Sequence, residues 1–201
     1  MRPAILPLGL EDCGKVAELH LHHLRTSYRG KSGIKLLECY YAALVQSDGG
    51  CGYIANLEGK LVGYICGVWD GSAIRQRLVK KYFLKLAGWG FIQLLVNPGF
   101  VRHTWNKIVH SNAIIHEVIT GVELRPIVVA PEARQQGIGT QLIRYLVEDA
   151  RGRGFDWMFL FTEEDNDPAR LMYQNYGFQL AGKYPYQGVH YLKYVLVFGH
   201  P

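Results

Sequence analysis

One junction constrains this chain more than any other feature. The apolar run Ile127-Val128-Val129 passes through Ala130-Pro131-Glu132-Ala133-Arg134-Gln135-Gln136 into Gly137-Ile138-Gly139-Thr140, where a helical pattern begins. A strand that feeds a glycine-opened helix exposes a row of backbone N–H groups at the helix start. Those donors have no partner inside the helix, and the helix dipole adds partial positive charge there. The junction is a cradle for an anion such as a phosphate, and glycine lets the backbone come close to it. Two nucleotide-binding fingerprints fail on it. A dinucleotide fold needs a third small residue where this chain has Leu142, and a P-loop needs a lysine after its glycine, which is absent. An ordinary strand-to-helix turn would use the same glycines, so the loop does not settle the matter alone.

The residues around the junction read as a mixed α/β chain. Ala4 to Leu8 suits a short first strand, and Leu10 to Arg25 has helical periodicity with Val16, Leu19 and Leu24 on its apolar face. A second helix is expected over Ile34 to Gln46, closed by Asp48-Gly49-Gly50. Gly52 to Asn56 and Leu61 to Val68 read as a hairpin turning at Glu58-Gly59. Strand-like runs follow at Ala113 to Thr120 and Val122 to Val129. Gly137 to Ala150 places Leu142, Ile143, Leu146, Val147 and Ala150 on one helical face. Phe155 to Phe161 is apolar almost throughout, as a strand covered on both faces should be. Asp167 is placed to cap a short helix with Pro168 at its first position, Gly177 ends that helix, and Phe178 to Phe198 supplies one or two closing strands. The order of elements gives a mixed α/β or α+β sheet in a single domain over 1–201.

One stretch interrupts this pattern. Between Ala73 and His110 lie seven basic residues and no acid, while the whole chain is +5, so the rest is net acidic. The first half of this insertion is helix-like, and Gly88, Gly90, Pro98 and Gly99 break the remainder. Nucleic acid, a membrane surface, an anionic ligand or plain solvent would each suit such a face. The longest uncharged run, Leu86 to Val101, is interrupted by Gln93, Asn97 and Pro98. It falls short of the ~20 apolar residues of a membrane span, so no transmembrane helix is expected. Met1 to Pro7 does not read as a signal peptide. Cys13, Cys39, Cys51 and Cys66 show neither a Cys-x-x-Cys pair nor metal-ligand spacing, which suits free thiols in a reducing cytoplasm. His20 and His23 share a helical face without a carboxylate or cysteine at fitting spacing, so no metal is expected.

Two motifs carry a resemblance. Arg134-x-x-Gly137-x-Gly139, preceded by an apolar strand and Pro131, resembles the pyrophosphate-binding motif of the GNAT superfamily of N-acetyltransferases. Downstream, Asn166-x-x-Ala169-x-x-x-Tyr173-x-x-x-Gly177-Phe178 resembles the second cofactor motif of that family. The resemblance is tight over residues 120 to 180 and looser over Ala4 to Val68, and the segment from Ala73 to His110 departs from the family's minimal pattern. It implies an α+β fold: a mixed, mostly antiparallel sheet of about seven strands flanked by helices, with central strands that splay around acetyl-CoA.

Roles follow from the resemblance. Backbone groups of Ile127, Val128 and Val129 would pair with the pantetheine arm, with the Ile127 N–H polarising the thioester carbonyl. Gln135, Gln136, Gly137, Ile138, Gly139 and Thr140, beside Arg134, would hold the pyrophosphate. Asn166 would bind the pantetheine arm or cap its helix, and Ala169 belongs to the same cofactor motif. Tyr173 is the candidate acid for the departing thiolate. At an ordinary phenol pKa of about 10 it would give the rate profile an alkaline limb. Ala169, Met172, Tyr173 and Tyr176 also share a helical face, so packing is its alternative role. Glu123 is the candidate base for the acceptor ammonium, directly or through water, with a cross-strand salt bridge or a solvent-facing strand position as the alternative. Glu117 and His116 are lesser contenders. No Gly-x-Ser-x-Gly and no Cys–His nucleophile arrangement is present, so transfer is expected to be direct, in a ternary complex.

The expected protein is a cytoplasmic acetyltransferase using acetyl-CoA as co-substrate, with no metal. Its acceptor would be a primary amine of a small molecule, an amino sugar or similar metabolite. The insertion at 73–110 would be a substrate lid or a peripheral membrane contact, nucleic acid would not be a partner, and the protein would be a monomer or homodimer. A non-catalytic CoA-binding regulatory module and a protein or peptide N-acetyltransferase are the alternatives.

Overall fold

The computed structural model describes residues 3–24, 30–82, 120–186 and 188–199. The expected strand at Ala113 to Thr120 apart from Thr120, the contenders His116 and Glu117, and the basic segment beyond residue 82 lie outside them. The chain divides into two compact units. One comprises Met1–Leu8, Cys51–Trp69 and Thr120–Pro201, the other Gly9–Gly50 and Asp70–Ile119. The strands are β1 (Ala4–Pro7), β2 (Gly50–Leu57), β3 (Lys60–Val68), β4 (Val122–Val129), β5 (Trp157–Glu163), β6 (Gln179–Tyr186) and β7 (Val189–Val197). The helices are α1 (Cys13–His23), α2 (Gly30–Val45), α3 (residues 71–82), α4 (Ile138–Gly152) and α5 (Asp167–Tyr176).

The seven strands form one sheet in the order β1-β2-β3-β4-β5-β7-β6. β1 and β2, β3 and β4, β5 and β7, and β6 and β7 pair antiparallel, and β4 and β5 alone are parallel among these pairs. The hairpin between β2 and β3 turns at Glu58 and Gly59 with φ of 53° and 80°, the doubly left-handed turn that matches strand twist. Parallel pairing of β4 and β5 is confined to Val122↔Met158 and Glu123↔Phe159. β4 nevertheless continues beside β3 to Val129, and β5 continues beside β7 to Glu163. The two central strands therefore part after Glu123 and Phe159. A bulge accompanies the parting. β3 advances from Ile65 to Gly67 while β4 moves from Ile127 back to Leu124, so β4 carries one extra residue around Arg125-Pro126. Proline has no N–H to give a ladder, and a bulge is where a strand tolerates it.

α4 lies on this sheet through Ile138, Leu142, Ile143, Leu146, Val147 and Ala150, all buried. Each fully buried Leu or Ile contributes about 1.5–3 kcal/mol relative to an exposed one, so this stripe fixes the helix firmly. Close approach depends on glycine: a Cβ on Gly67 would stand 2.6 Å from the Leu146 side chain. α5 ends in a left-handed Gly177 (φ 113°), with the Gly177 N–H bonded to the Gln174 carbonyl and the Phe178 N–H to that of Tyr173. This Schellman stop folds Phe178 back onto Tyr173, with ring centroids 5.8 Å apart. The start of α5 differs from expectation. Asn166 occupies the N-cap position without a side-chain capping bond, and Asp167 is already helical, because proline is accommodated in the first two helical positions alike.

In the second unit a 3-10 turn, Leu10–Asp12, precedes α1, and α1 packs against α2. Asp70 caps α3: its Oδ1 accepts the Ser72 N–H at 2.9 Å and the Ala73 N–H at 3.1 Å, and the Ser72 hydroxyl donates to it at 2.6 Å. The Ser72 and Ala73 bonds hold the Asp70 carboxyl below the usual carboxylate range. Arg77 donates from Nε and Nη2 to the Gln46 carbonyl at 2.9 and 2.7 Å, so one cation of the basic insertion serves a helix end. His20 Nδ1 lies 2.6 Å from the hydroxyl of the buried Tyr41, and burial lowers the His20 pKa to about 4.

Two outcomes follow. Gly67→Ala is expected to destabilise by about 1–3 kcal/mol through overpacking, and Leu146→Ala by about 2–5 kcal/mol through a cavity. The double variant should lose less than the sum in urea unfolding, because each change makes room for the other. Strict additivity would show that the two sites do not meet. The His20 outcome concerns pH. Its folded pKa lies below the unfolded one, so the unfolded chain binds more protons and stability falls as pH drops from about 6.5 to about 4. His20→Gln should flatten that part of the wild-type pH–stability curve, and an unchanged curve would place the titration elsewhere.

Candidate functional site

The gap between β4 and β5 is bordered by backbone. The Ala130 N–H bonds the Val62 carbonyl at 2.8 Å, which fixes the ladder's alternation. Val128, opposite Tyr64, then points its amide at β3, whereas Ile127 and Val129 direct N–H and C=O to the side that β5 has left. Of the three residues expected along the gap, the backbones of two line it and that of Val128 serves the sheet. The Val129 carbonyl accepts the Arg134 Nε–H at 3.0 Å, so Arg134 folds back along the loop it belongs to.

The loop itself is a 3-10 turn, Pro131–Ala133, followed by two left-handed residues, Gln135 (φ 61°) and Gly137 (φ 73°). A left-handed Gln costs roughly 1–2 kcal/mol, strain of the kind that collects at functional sites. Gly137 is the N-cap of α4, and the first helical bond runs from the Gln141 N–H to the Gly137 carbonyl at 3.0 Å. The N–H groups of Ile138, Gly139 and Thr140 therefore precede the ladder and face outward as a group. A Cβ built on Gly137 meets nothing within 4 Å, so the residue is glycine for its left-handed backbone and not for want of room.

Gly139 has a use besides the one its motif suggests. A Cβ there would stand 2.6 Å from Met172 Sδ and 3.9 Å from Ile127 Cδ1. Its smallness lets α4 and α5 close on each other beside β4, which joins the two sequence motifs into one site. Met172 was not among the expected site residues, although its place one position before Tyr173 on the same helical face was the available signal. Ala169 packs against the same core cluster. Asn166 and the loop residues Gln135 and Gln136 are exposed.

Tyr173 is almost wholly buried among Phe178 and Tyr194, the latter with its ring centroid 6.4 Å away. Burial pushes its hydroxyl well above the ordinary phenol range. An alkaline limb from Tyr173 would accordingly lie above that of an ordinary phenol. Glu123 forms an ion pair through Oε2 with Arg125, two residues along the same strand. This is a salt bridge within one strand and not across two. Arg125 was missed because the period-2 spacing that suggests the pair is disturbed by the bulge at Pro126.

The four cysteines are free thiols. Among the described residues no helix is long and apolar enough to cross a membrane, and no group of three or more His, Cys, Asp or Glu could hold a metal.

Known proteins share this architecture. The chain is similar in fold to an acetyltransferase of the GNAT family from Streptococcus pneumoniae, with a TM-score of 0.62, 18% identity, and coverage of 98% of this chain and 99% of that one. It is equally similar to yncA of Salmonella typhimurium, solved with its cofactor acetyl-CoA, with a TM-score of 0.63, 16% identity, and coverage of 100% and 96%. A stretch of 64 residues is 41% identical to YobR, an uncharacterized N-acetyltransferase of Bacillus subtilis (strain 168), spanning 32% of this chain and 26% of that protein. The sequence profile of the acetyltransferase (GNAT) family matches residues 17–178, both motifs and the splayed pair of strands included, and the chain belongs to that family.

Proposed function

We propose that this protein transfers the acetyl group of acetyl-CoA to a primary amine of a small molecule, by direct attack within a ternary complex. The observation that carries the proposal is the meeting of three parts at one place. The left-handed Gly137 cradle adjoins the parted β4, and α5 closes on both through Gly139 and Met172. The cradle fits a pyrophosphate, since Ile138, Gly139 and Thr140 offer outward N–H groups where the helix dipole is positive. The Ile127 and Val129 backbones suit a pantetheine arm laid along the strand edge. When bound, acetyl-CoA supplies the activated acyl group.

The chain's own residues then divide the proton work. The Ile127 N–H donates to the thioester carbonyl and steadies charge as it develops there. Tyr173, kept protonated by burial, donates to the departing sulfur. Glu123 receives the proton of the acceptor ammonium, directly or through water, and Arg125 pairs with its Oε2. Asn166, exposed at the α5 start, is placed to bond the pantetheine arm.

Acetyl-CoA at a hundred times its Kd should stabilise the fold by about 2.7 kcal/mol, read as a raised Tm, and NAD should do far less. Gly137→Glu places a carboxylate in the cradle and should abolish the shift. Equal stabilisation by NAD would overturn the cofactor assignment, and binding without thiol release for any amine would make the protein a CoA-binding regulator instead. Tyr173→Phe should lower kcat by ~10²–10⁴ by the same factor at every pH from about 6 to about 10, because the phenol does not titrate there. Glu123→Gln should cost a similar factor that shrinks at high pH, where the acceptor is already neutral. Full kcat in Tyr173→Phe, with a lowered Tm, would assign that side chain to packing.

A further inference from the structure

The register of the sheet places a row of aromatic rings beside Glu123. Residues directly opposite in neighbouring strands share a face, and Glu123 is in register with Phe159. Alternation along β5 puts Trp157, Phe159 and Phe161 on that face, turned away from Met158 and Leu160 in the core beneath α4. The rings touch in series. Centroids of Trp157 and Phe159 are 5.5 Å apart, of Phe159 and Phe161 6.0 Å, and of Phe161 and Tyr184 on β6 5.7 Å, the last two pairs edge-on. Phe159 is buried, Trp157 and Phe161 on either side of it are half-buried, and Tyr184 is exposed, so the row reaches the surface through Phe161 and Tyr184. Lys193, in register with Phe161, sets its Nζ 5.4 Å above the Phe159 ring.

We propose that this row binds the acceptor and that the acceptor is a primary amine carried on an aromatic ring, its ammonium directed to Glu123. The inference rests on the acetyltransferase reading and deepens it. The argument is one of complementarity. Edge-to-face stacking rewards a flat apolar ring laid against Phe161 and Tyr184. The phenylalanines offer no hydrogen bonds to the hydroxyls of an amino sugar, which would be desolvated without partners. Lys193 already occupies the Phe159 face as the cation, so a second positive charge is repelled and a polyamine is disfavoured. At the other end Arg125 takes Oε2 of Glu123, which leaves Oε1 for an ammonium.

The test compares phenethylamine, n-butylamine, glucosamine and spermidine in a CoA-thiol release assay on the purified protein. Phenethylamine should have the highest kcat/KM, roughly tenfold above n-butylamine. Phe161→Leu keeps the apolar bulk but not the ring, and should cut the phenethylamine-to-butylamine ratio by about 3- to 10-fold, mainly through KM. Phe161→Tyr keeps a ring and should retain the ratio. If Phe161→Leu does not fold, Tyr184→Ala on the outermost strand should lower the ratio in the same direction. Preference for glucosamine or spermidine, or a ratio indifferent to both ring losses, would overturn the inference while acetyl transfer stands. Failure of acetyl-CoA to raise the Tm, with no thiol released for any amine, would sink both.

Discussion

The parting of β4 from β5 is the constraint on which the rest of the site depends. A sheet satisfies its backbone by pairing strands, and buried N–H and C=O groups without partners are costly. β4 and β5 pair at Val122↔Met158 and Glu123↔Phe159, so Ile127 and Val129 face a side on which none of the described strands lies. Everything nearby adjusts to that. The bulge at Arg125-Pro126 turns the strand and sets which amides face the gap. Arg134 supplies one bond to the Val129 carbonyl. The glycine-opened start of α4 places further donors just beyond the end of the same strand. An open seam, a turned strand and a helix N-terminus thus lie together at the centre of the sheet.

Local features were legible in the sequence, and features set by neighbouring elements were not. Glu58-Gly59 specifies its hairpin because two adjacent left-handed residues leave the chain few other turns. The α4 stripe was readable because helical period and burial coincide from Ile138 to Ala150. The anion cradle was readable for the same reason, since Gly137 is left-handed in its own right. Gly139 carried no such signal: its smallness answers to Met172, thirty-three positions away, and no local pattern announces that. The bulge was equally hidden, because a proline in a strand says that a ladder is broken without saying which partner accommodates it. Tyr173 could be named from its motif, but its raised pKa depends on Phe178 and Tyr194 closing around it.

The basic insertion illustrates how composition and position differ as sources of information. Counting charge between Ala73 and His110 left nucleic acid, a membrane surface, an anionic ligand and plain solvent all open. Within the described part, Arg77 is bonded to the carbonyl of Gln46 and Lys81 Nζ to the Gln46 side chain at 2.7 Å. Those two cations are engaged with the end of α2, where the helix dipole is negative. A run of like charge in sequence thus includes members with an ordinary structural occupation.

The contact among Gly139, Met172 and Ile127 makes three positions into one dimension. The distance between α4 and α5 beside β4 is set by the bulk summed over them, since packed interiors have little slack. A side chain added at 139 meets the end of the Met172 side chain first, which must move aside or be shortened for the two helices to keep their spacing. The glycine-opened start of α4 and the phenol of Tyr173 on α5 are carried by these two helices, so their spacing sets the span between the two. These three residues act as a gauge of that span, without themselves carrying charge or exchanging protons.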